Sequence, residues 1–345
     1  MKNLKKLFIS VTVLSLFSHL CGCSKVKNSE IKIPIKVLLL PKFEIGEITG
    51  DEIGEAQLFY EAYFKDADQY TIPSASSDKT LYVKDGIAMF IVDMGKANSA
   101  INTMAVLNDD RFDFSDVYVI SIGCAGGARD YVTLGDVVVI SSAVDYDIGH
   151  HADARELSDP ESMTWFHNQN FDGLSKITLN KDLTDKVYEL TKDIKLDSTE
   201  RTRNFLSKAF DDAEWAIRDP KVLRGTTVTS DNYWKGEYNH LNALKMVEVY
   251  ECADPFATSE MEDISIGLTL KHLGKLDRYI AIRTCVNNDV FVFGITPERL
   301  WGNIDDSKYY SDEDLESTDI LPVAMMNEFK VVDTIISAIK EGKLN

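Results

Sequence analysis

Several places along this chain of 345 residues gather side chains that do chemistry. Gly123-Cys124-Ala125-Gly126-Gly127 is a glycine-rich turn, and glycines let a backbone approach a ligand closely and take unusual dihedrals. Taken alone, such a turn is common. Tyr233 and Trp234 are adjacent, with Asp231 two positions before Tyr233. Aromatic faces suit flat heterocycles, and they suit core packing equally. Met261-Glu262-Asp263 sets carboxylates beside a thioether. Asp145, Asp147, His150, His151 and Asp153 are the residue types of a metal site, but no motif spacing joins them. A polar pocket rim or solvated loop is the reading there, and neither a metal nor a cofactor is expected. Cys124, Cys252 and Cys285 make neither a paired disulfide framework nor a zinc spacing, and read as small buried residues.

These residues need elements to position them. Ile35 to Leu40 is a short apolar run ended by Pro41, which predicts a buried strand. Val117 to Ile122, Val137 to Ser141, Val222 to Thr229 and Tyr279 to Thr284 read the same way. Val247 to Tyr250 reads as a shorter strand. Thr80 to Val83 and Ala88 to Val92 flank Lys84-Asp85-Gly86, a hairpin pattern. Helical spacing covers Gly50 to Phe64, Asn98 to Leu107, Lys181 to Ile194, Glu260 to Leu273 and Leu321 to Ile339. Buried strands alternating with helices predict an α/β sandwich around one sheet. One domain over residues 33–345 is expected. Residues 148–222 are more polar and read as an insertion over the active-site face, where Trp165 and His167 are candidate covers.

The N-terminus carries its own pattern. Lys2, Lys5 and Lys6 precede an apolar run from Leu7 to Leu20, and Leu20-Cys21-Gly22-Cys23 follows. This is the layout of a signal peptide, and its Leu-x-Gly-Cys ending resembles a bacterial lipobox. The expectation is cleavage after residue 22, lipid on Cys23, and a polar tether over residues 23–32. Ser24 then resembles an outer-membrane sorting position, so the expected location is the cell envelope, facing the periplasm or the cell surface. Removing the three lysines would take the net charge from −19 to −22. Such an acidic surface repels phosphate backbones and argues against nucleic-acid binding. Beyond residue 20, no stretch reaches the roughly 18 apolar residues that span a bilayer. The expected membrane attachment is therefore through the lipid only.

Val119 to Ile140 reads VISIGCAGGARDYVTLGDVVVI. It is similar to the strand, glycine-rich turn and following strand of the nucleoside phosphorylase and nucleosidase superfamily. Leu38 to Glu47, Val92 to Ala100, Gly225 to Trp234 and Ser259 to Asp263 resemble four further motifs of that superfamily, in its order. Ser230-Asp231-Asn232-Tyr233-Trp234, Met261-Glu262-Asp263, Arg283-Thr284-x-x-Asn287 and Asp153-Ala154-Arg155-Glu156-Leu157 resemble signatures of the purine nucleoside permease family within it. The likeness spans most of residues 35–300. It implies a three-layer sandwich around a central mixed β-sheet, of the nucleoside-phosphorylase type, and a purine nucleoside as ligand.

The resemblance also implies roles. Glu262 would accept the two ribose hydroxyls, with Met261 packed under the sugar. Cys124, Gly126 and Gly127 would line the ligand, with Tyr233 and Trp234 at the base. Glu44 occupies the place of the hydrolytic branch's water-activating glutamate. Ser121 stands where some phosphorylases carry an arginine, and without a cationic clamp a phosphate has little to hold it. Arg129 and Arg155 could still reach in. Asn287 stands where typical members carry an aspartate that protonates N7 of the purine. An amide can hydrogen-bond N7 and stabilise developing charge but cannot donate a proton as an acid, so catalysis would be slower or would use another acid such as Asp231 or Asp289. Three readings follow. The first is hydrolysis of the N-glycosidic bond to free base and ribose. The second is phosphorolysis, and the third is nucleoside capture without cleavage for a separate transporter. Relatives often borrow pocket residues from a neighbour, so a homo-oligomer is also implied.

Overall fold

Val37–Leu40 (β1) is buried at every position. Val37 and Leu39 join one apolar cluster while Leu38 and Leu40 join another. A strand whose side chains alternate between two dry faces must lie between two layers. A computed structural model of the protein describes residues 31–344, apart from 74, 76–78, 160–162, 294, 296, 298, 299 and 301–318. The expected leader and Cys23 lie outside the described residues, as does all of the tether but residues 31 and 32.

Nine further strands join β1 in one mixed sheet. They are Asp68–Thr71 (β2), Thr80–Lys84 (β3), Ile87–Phe90 (β4), Tyr118–Gly127 (β5), Val137–Asp145 (β6), Lys176–Thr178 (β7), Val222–Thr229 (β8), Phe256–Glu260 (β9) and Tyr279–Asn288 (β10). The order is β7-β6-β8-β9-β5-β1-β4-β3-β2, with β10 paired to both β5 and β6. The pairings β5 to β10, β10 to β6, β6 to β8, β8 to β9 and β9 to β5 therefore close a ring of five strands. The β9–β5 join is short, only Thr258 with Gly127 and Ser259 with Gly126. It brings the glycine-rich end of β5 against the start of the Met-Glu motif.

Helices cover both faces, which makes the expected three layers. Lys96–Leu107 (α1) and Asp263–His272 (α5) pack on the side of Leu38 and Leu40. Lys181–Thr191 (α2) and Ile320–Lys340 (α6) pack on the side of Val37 and Leu39. Glu200–Ala209 (α3) lies in a smaller cluster with Leu134 and Ile320, and Glu237–Val249 (α4) in another with Val228 and Phe256. None of the helices among the described residues is long and apolar enough to cross a membrane.

Three expectations differ from the structure. Gly50 to Phe64 is helical only from Gln57 onward. Glu44 accepts the backbone N–H groups of Gly54, Ala56 and Gln57, and Asp51 accepts that of Glu47. These side-chain bonds hold the earlier residues in a loop against their helical spacing. Val247 to Tyr250 is the end of α4, not a strand. Ala243, Met246 and Val247 bury one helical face, and a short apolar run alone cannot separate the two cases. Residues 148–222 do not gather over the site. They supply the edge strand β7 and the layer helix α2, and no described residue among them lines the main cavity. Trp165 is buried, donates to the Ile148 carbonyl and packs on Tyr250, while His167 contacts Asp172.

Candidate active site

The ends of β5, β9 and β10 open into a cavity of about 360 Å³. Of the residues singled out in the sequence, Cys124, Gly126, Tyr233, Trp234, Met261, Glu262 and Asn287 line it. Asp289 lines it as well. Glu44, Asp231, Gly127, Arg129 and Arg155 are not among its lining residues.

Its floor is a buried charge network. Arg283, on β10, is fully buried. Its Nε donates to Asp263 Oδ2 at 2.9 Å, and its Nη2 donates to Asp263 Oδ1 at 2.9 Å, Glu260 Oε2 at 2.8 Å and Glu262 Oε2 at 3.2 Å. One guanidinium thus faces three carboxylates. Burial raises the Glu260 carboxyl, and the negative charge of Asp263 adds to this. Burial would raise Asp263 too, but Arg283 and then Lys42 hold it below its usual range. Lys42 is the second buried cation. Its Nζ donates to Ser121 Oγ at 2.6 Å and to the Ile122 carbonyl at 2.7 Å. Burial lowers its pKa, and Arg283 lowers it further.

Glu262 sits at the start of α5 and is buried at the cavity wall. Its Oε1 accepts the Gly95 N–H at 3.0 Å, where α1 begins. Gly95 has φ of +90°, a conformation that favours glycine, and a side chain there would meet Asp231 Oδ1 at 3.2 Å. A carboxylate offers about four acceptor directions. Gly95 and Arg283 take two of them, which leaves acceptor capacity on a residue that lines the cavity.

Glu55 is the carboxylate opposite, and it was not legible in the sequence. Its Oε2 accepts the Lys42 N–H at 2.7 Å and its Oε1 accepts the Cys124 N–H at 2.9 Å. Burial raises its pKa, while Lys42 and Arg283 pull it back. Glu44, by contrast, is taken up by the backbone of its own loop, including the Ile45 N–H at 2.9 Å. The cavity carboxylate of this segment is therefore Glu55 and not Glu44, because Glu44 organises the loop that presents Glu55. Asp231 is likewise drawn away. Its Oδ1 accepts the Lys96 N–H at 2.8 Å and caps α1 outside the cavity.

Asp145 and Asp147, the centre of the acidic and histidine cluster, clasp Lys96 Nζ at 2.9 and 2.7 Å. His151 Nε2 lies 3.1 Å from the Tyr146 carbonyl, and Asp153 pairs with Arg155 on the surface. Among the described residues, no group of three His, Cys, Asp or Glu side chains is placed to hold a metal ion.

Residues 232–235 and 286–289 line the cavity as two further segments. The Gly236 N–H donates to the Asp289 carbonyl at 2.7 Å and ties the two segments together. Asp289 Oδ2 lies 2.6 Å from His240 Nδ1, and its Oδ1 accepts the Arg129 N–H at 3.2 Å. Trp234 stacks on Tyr146 with ring centroids 5.0 Å apart, so one of its faces serves the core. Tyr233 stands at the mouth and is 73% exposed.

Solved structures share this arrangement of strands and helices. The 5'-methylthioadenosine/S-adenosylhomocysteine nucleosidase of Neisseria meningitidis superposes with a TM-score of 0.54 at 16% identity, over 88% of this chain and 99% of that one. The futalosine hydrolase of Helicobacter pylori does so with a TM-score of 0.53 at 13% identity, over 88% and 97%. The fold is the nucleoside phosphorylase and nucleosidase fold. Within that class, the chain belongs to the purine nucleoside permease family, whose sequence model matches residues 34–340. A probable purine nucleoside permease of Schizosaccharomyces pombe is 29% identical over 168 residues, 42% of this chain and 46% of the relative. The purine nucleoside permease of Candida albicans is 25% identical over 155 residues, 41% and 38% of the two chains. The aligned regions thus cover less than half the length of these curated relatives.

Proposed function

We propose that the cavity binds a purine nucleoside and hydrolyses its N-glycosidic bond. The observation that carries this reading is the pair of carboxylates, Glu262 and Glu55, lining one cavity whose buried cations are already engaged. Glu262 accepts the vicinal hydroxyls of ribose with its remaining lone pairs and fixes the sugar, with Met261 beneath it. Glu55 takes a proton from water as the water oxygen bonds to the anomeric carbon. The electron pair of the breaking bond passes to the purine. The carboxylates oppose the positive charge that develops on the sugar. Cys124, Gly126 and Asn287 border the base, and Tyr233 closes over it.

Phosphorolysis fits less well. Arg283 already donates to Asp263, Glu260, Glu262 and the Cys124 carbonyl, and Lys42 to Ser121 and the Ile122 carbonyl. A phosphate dianion would have to compete with these bonds. Capture without cleavage is the second reading, and the amide of Asn287 favours it.

The test is incubation of the purified protein with inosine, adenosine, guanosine and uridine, with and without phosphate, followed by chromatography. Free purine without phosphate is expected. Ribose 1-phosphate formed only with phosphate would move the reading to phosphorolysis. Tight binding with no product would leave a capture protein. The same reading places the protein in the cell envelope, anchored through Cys23. Cys23→Ser should abolish incorporation of labelled fatty acid, and undiminished labelling would refute the anchor.

A further inference from the structure

The hydrolytic reading leaves one step without a donor. The departing purine accumulates negative charge and needs a proton, and Asn287 has none to give. The acids proposed from the sequence are held elsewhere. Asp231 caps α1 outside the cavity. Asp289 borders the cavity, but with one oxygen accepting the Arg129 N–H and the other against His240 Nδ1 it is placed as an acceptor and not as a donor.

Lys235 lines the same cavity as Asn287. Its position is fixed by the backbone around it. The next residue, Gly236, donates to the Asp289 carbonyl, and the Lys235 carbonyl accepts from Asn239 Nδ2 at 3.1 Å. The side chain is thus carried on a loop tied to the end of β10, two residues beyond Asn287. We propose that Lys235 is the general acid of the reaction, passing an ammonium proton to the purine nitrogen as the bond to the sugar breaks. This rests on the hydrolytic reading. The balance is complete. Water gives its oxygen to the sugar and one proton to Glu55, the purine takes the bonding pair and the proton of Lys235, and solvent restores both side chains.

The environment suits an amine that must release a proton near neutrality. Burial brings the Lys235 ammonium down to about 8, against the opposing pull of Asp289. An ordinary lysine near 10.4 is a poor donor on this scale. Among the described residues, the titratable and charged groups linked to this part of the cavity are Asp289, His240 and the Arg129–Glu237 pair, and Lys42, Arg283, Glu260, Glu55 and Glu262 line the same cavity.

The experiment compares two leaving groups on the full-length protein. Inosine needs a proton on its base, whereas 4-nitrophenyl β-D-ribofuranoside releases a phenolate that does not. Lys235→Met should lose roughly 100-fold or more in kcat on inosine and keep most of its activity on the nitrophenyl riboside. Lys235→Arg should not rescue inosine cleavage, because a guanidinium keeps its proton. The wild-type kcat on inosine should also fall as pH rises through about 8, and the Lys235→Met variant should lack that limb. Full inosine activity in Lys235→Met, equal loss on both substrates, or rescue by arginine would overturn the assignment. A wild-type protein that cleaves neither substrate would overturn the hydrolytic reading itself, and this inference with it.

Discussion

The Cys124 N–H donates to Glu55 Oε1 at 2.9 Å and ties the glycine-rich turn to a loop 69 positions earlier. This bond aims a buried carboxylate into the cavity. Glu55→Gln keeps an acceptor for Cys124 but removes the proton acceptor. It should lower kcat by roughly 100-fold or more, with about 1–3 kcal/mol of stability lost where the amide NH2 faces the Lys42 N–H. Glu44→Gln should differ. It unsettles several backbone N–H groups, so it should cost about 1–3 kcal/mol in stability and spare the chemistry. Kinetics alongside thermal melts separate the two, and full turnover by a folded Glu55→Gln protein would end Glu55's role as base.

Glu262 is expected to act in binding. Glu262→Ala removes the charged acceptor for the sugar hydroxyls, worth about 1.5–3 kcal/mol, or roughly ten- to a hundredfold in KM. Its loss should weaken ribonucleosides more than 2′-deoxynucleosides, which already lack one hydroxyl. Equal effects on both substrate series would argue that Glu262 only supports Arg283.

Glu328, on α6, supplies a pH effect on stability. Its Oε1 accepts the Gly123 N–H at 2.7 Å, and burial, with the charge of Glu55 adding, pushes its pKa up to about 8. A carboxyl raised on folding favours the native state while protonated. That contribution is whole below the unfolded value of about 4.5 and is lost as pH rises through about 8. Glu328→Gln should therefore gain stability relative to wild type between about pH 5 and about pH 9. Urea midpoints at both ends of this range check it, and a constant gap would contradict it.

Removing Arg283 should be severe. Arg283→Met strands Glu260, Glu262 and Asp263 together in a dry site, at a cost of about 3–5 kcal/mol. Denaturant unfolding measures this loss. A double change of Arg283→Met with Asp263→Asn should recover part of it, since Asp263 makes two of the guanidinium's bonds.

The sequence showed the layers well, because β1, β5, β6 and β10 are apolar runs buried on both faces. It showed part of the cavity wall through Met261 and Glu262, whose motif is local. It missed Glu55 and Lys235 for a physical reason. Glu55 lies in a stretch whose spacing reads as a helix and Lys235 just beyond the Tyr-Trp pair, and only long-range bonds, of Glu55 to Cys124 and Lys42 and of Gly236 to Asp289, set them at the cavity. Glu44 misled because it follows β1 directly, where a catalytic carboxylate and a loop-organising one look alike. The strand Phe256–Glu260 was hidden by threonine, serine and glutamate side chains that are buried by pairing with Thr226–Thr229 rather than by apolarity.

The five-stranded ring sets when the site can exist. Val119 pairs with Tyr279, and Cys124 with Thr284, so the turn beside Glu55 is framed by a strand made long after it. Pairings between distant parts of a chain form late and slowly, since a long loop must close before any contact rewards it. A growing chain that has emitted only its first two hundred residues holds Glu55 and Cys124 but neither Glu262 nor Arg283. The cavity is thus a property of the finished chain. Forms truncated before Glu262 and Arg283 hold parts of the cavity wall but cannot assemble the site.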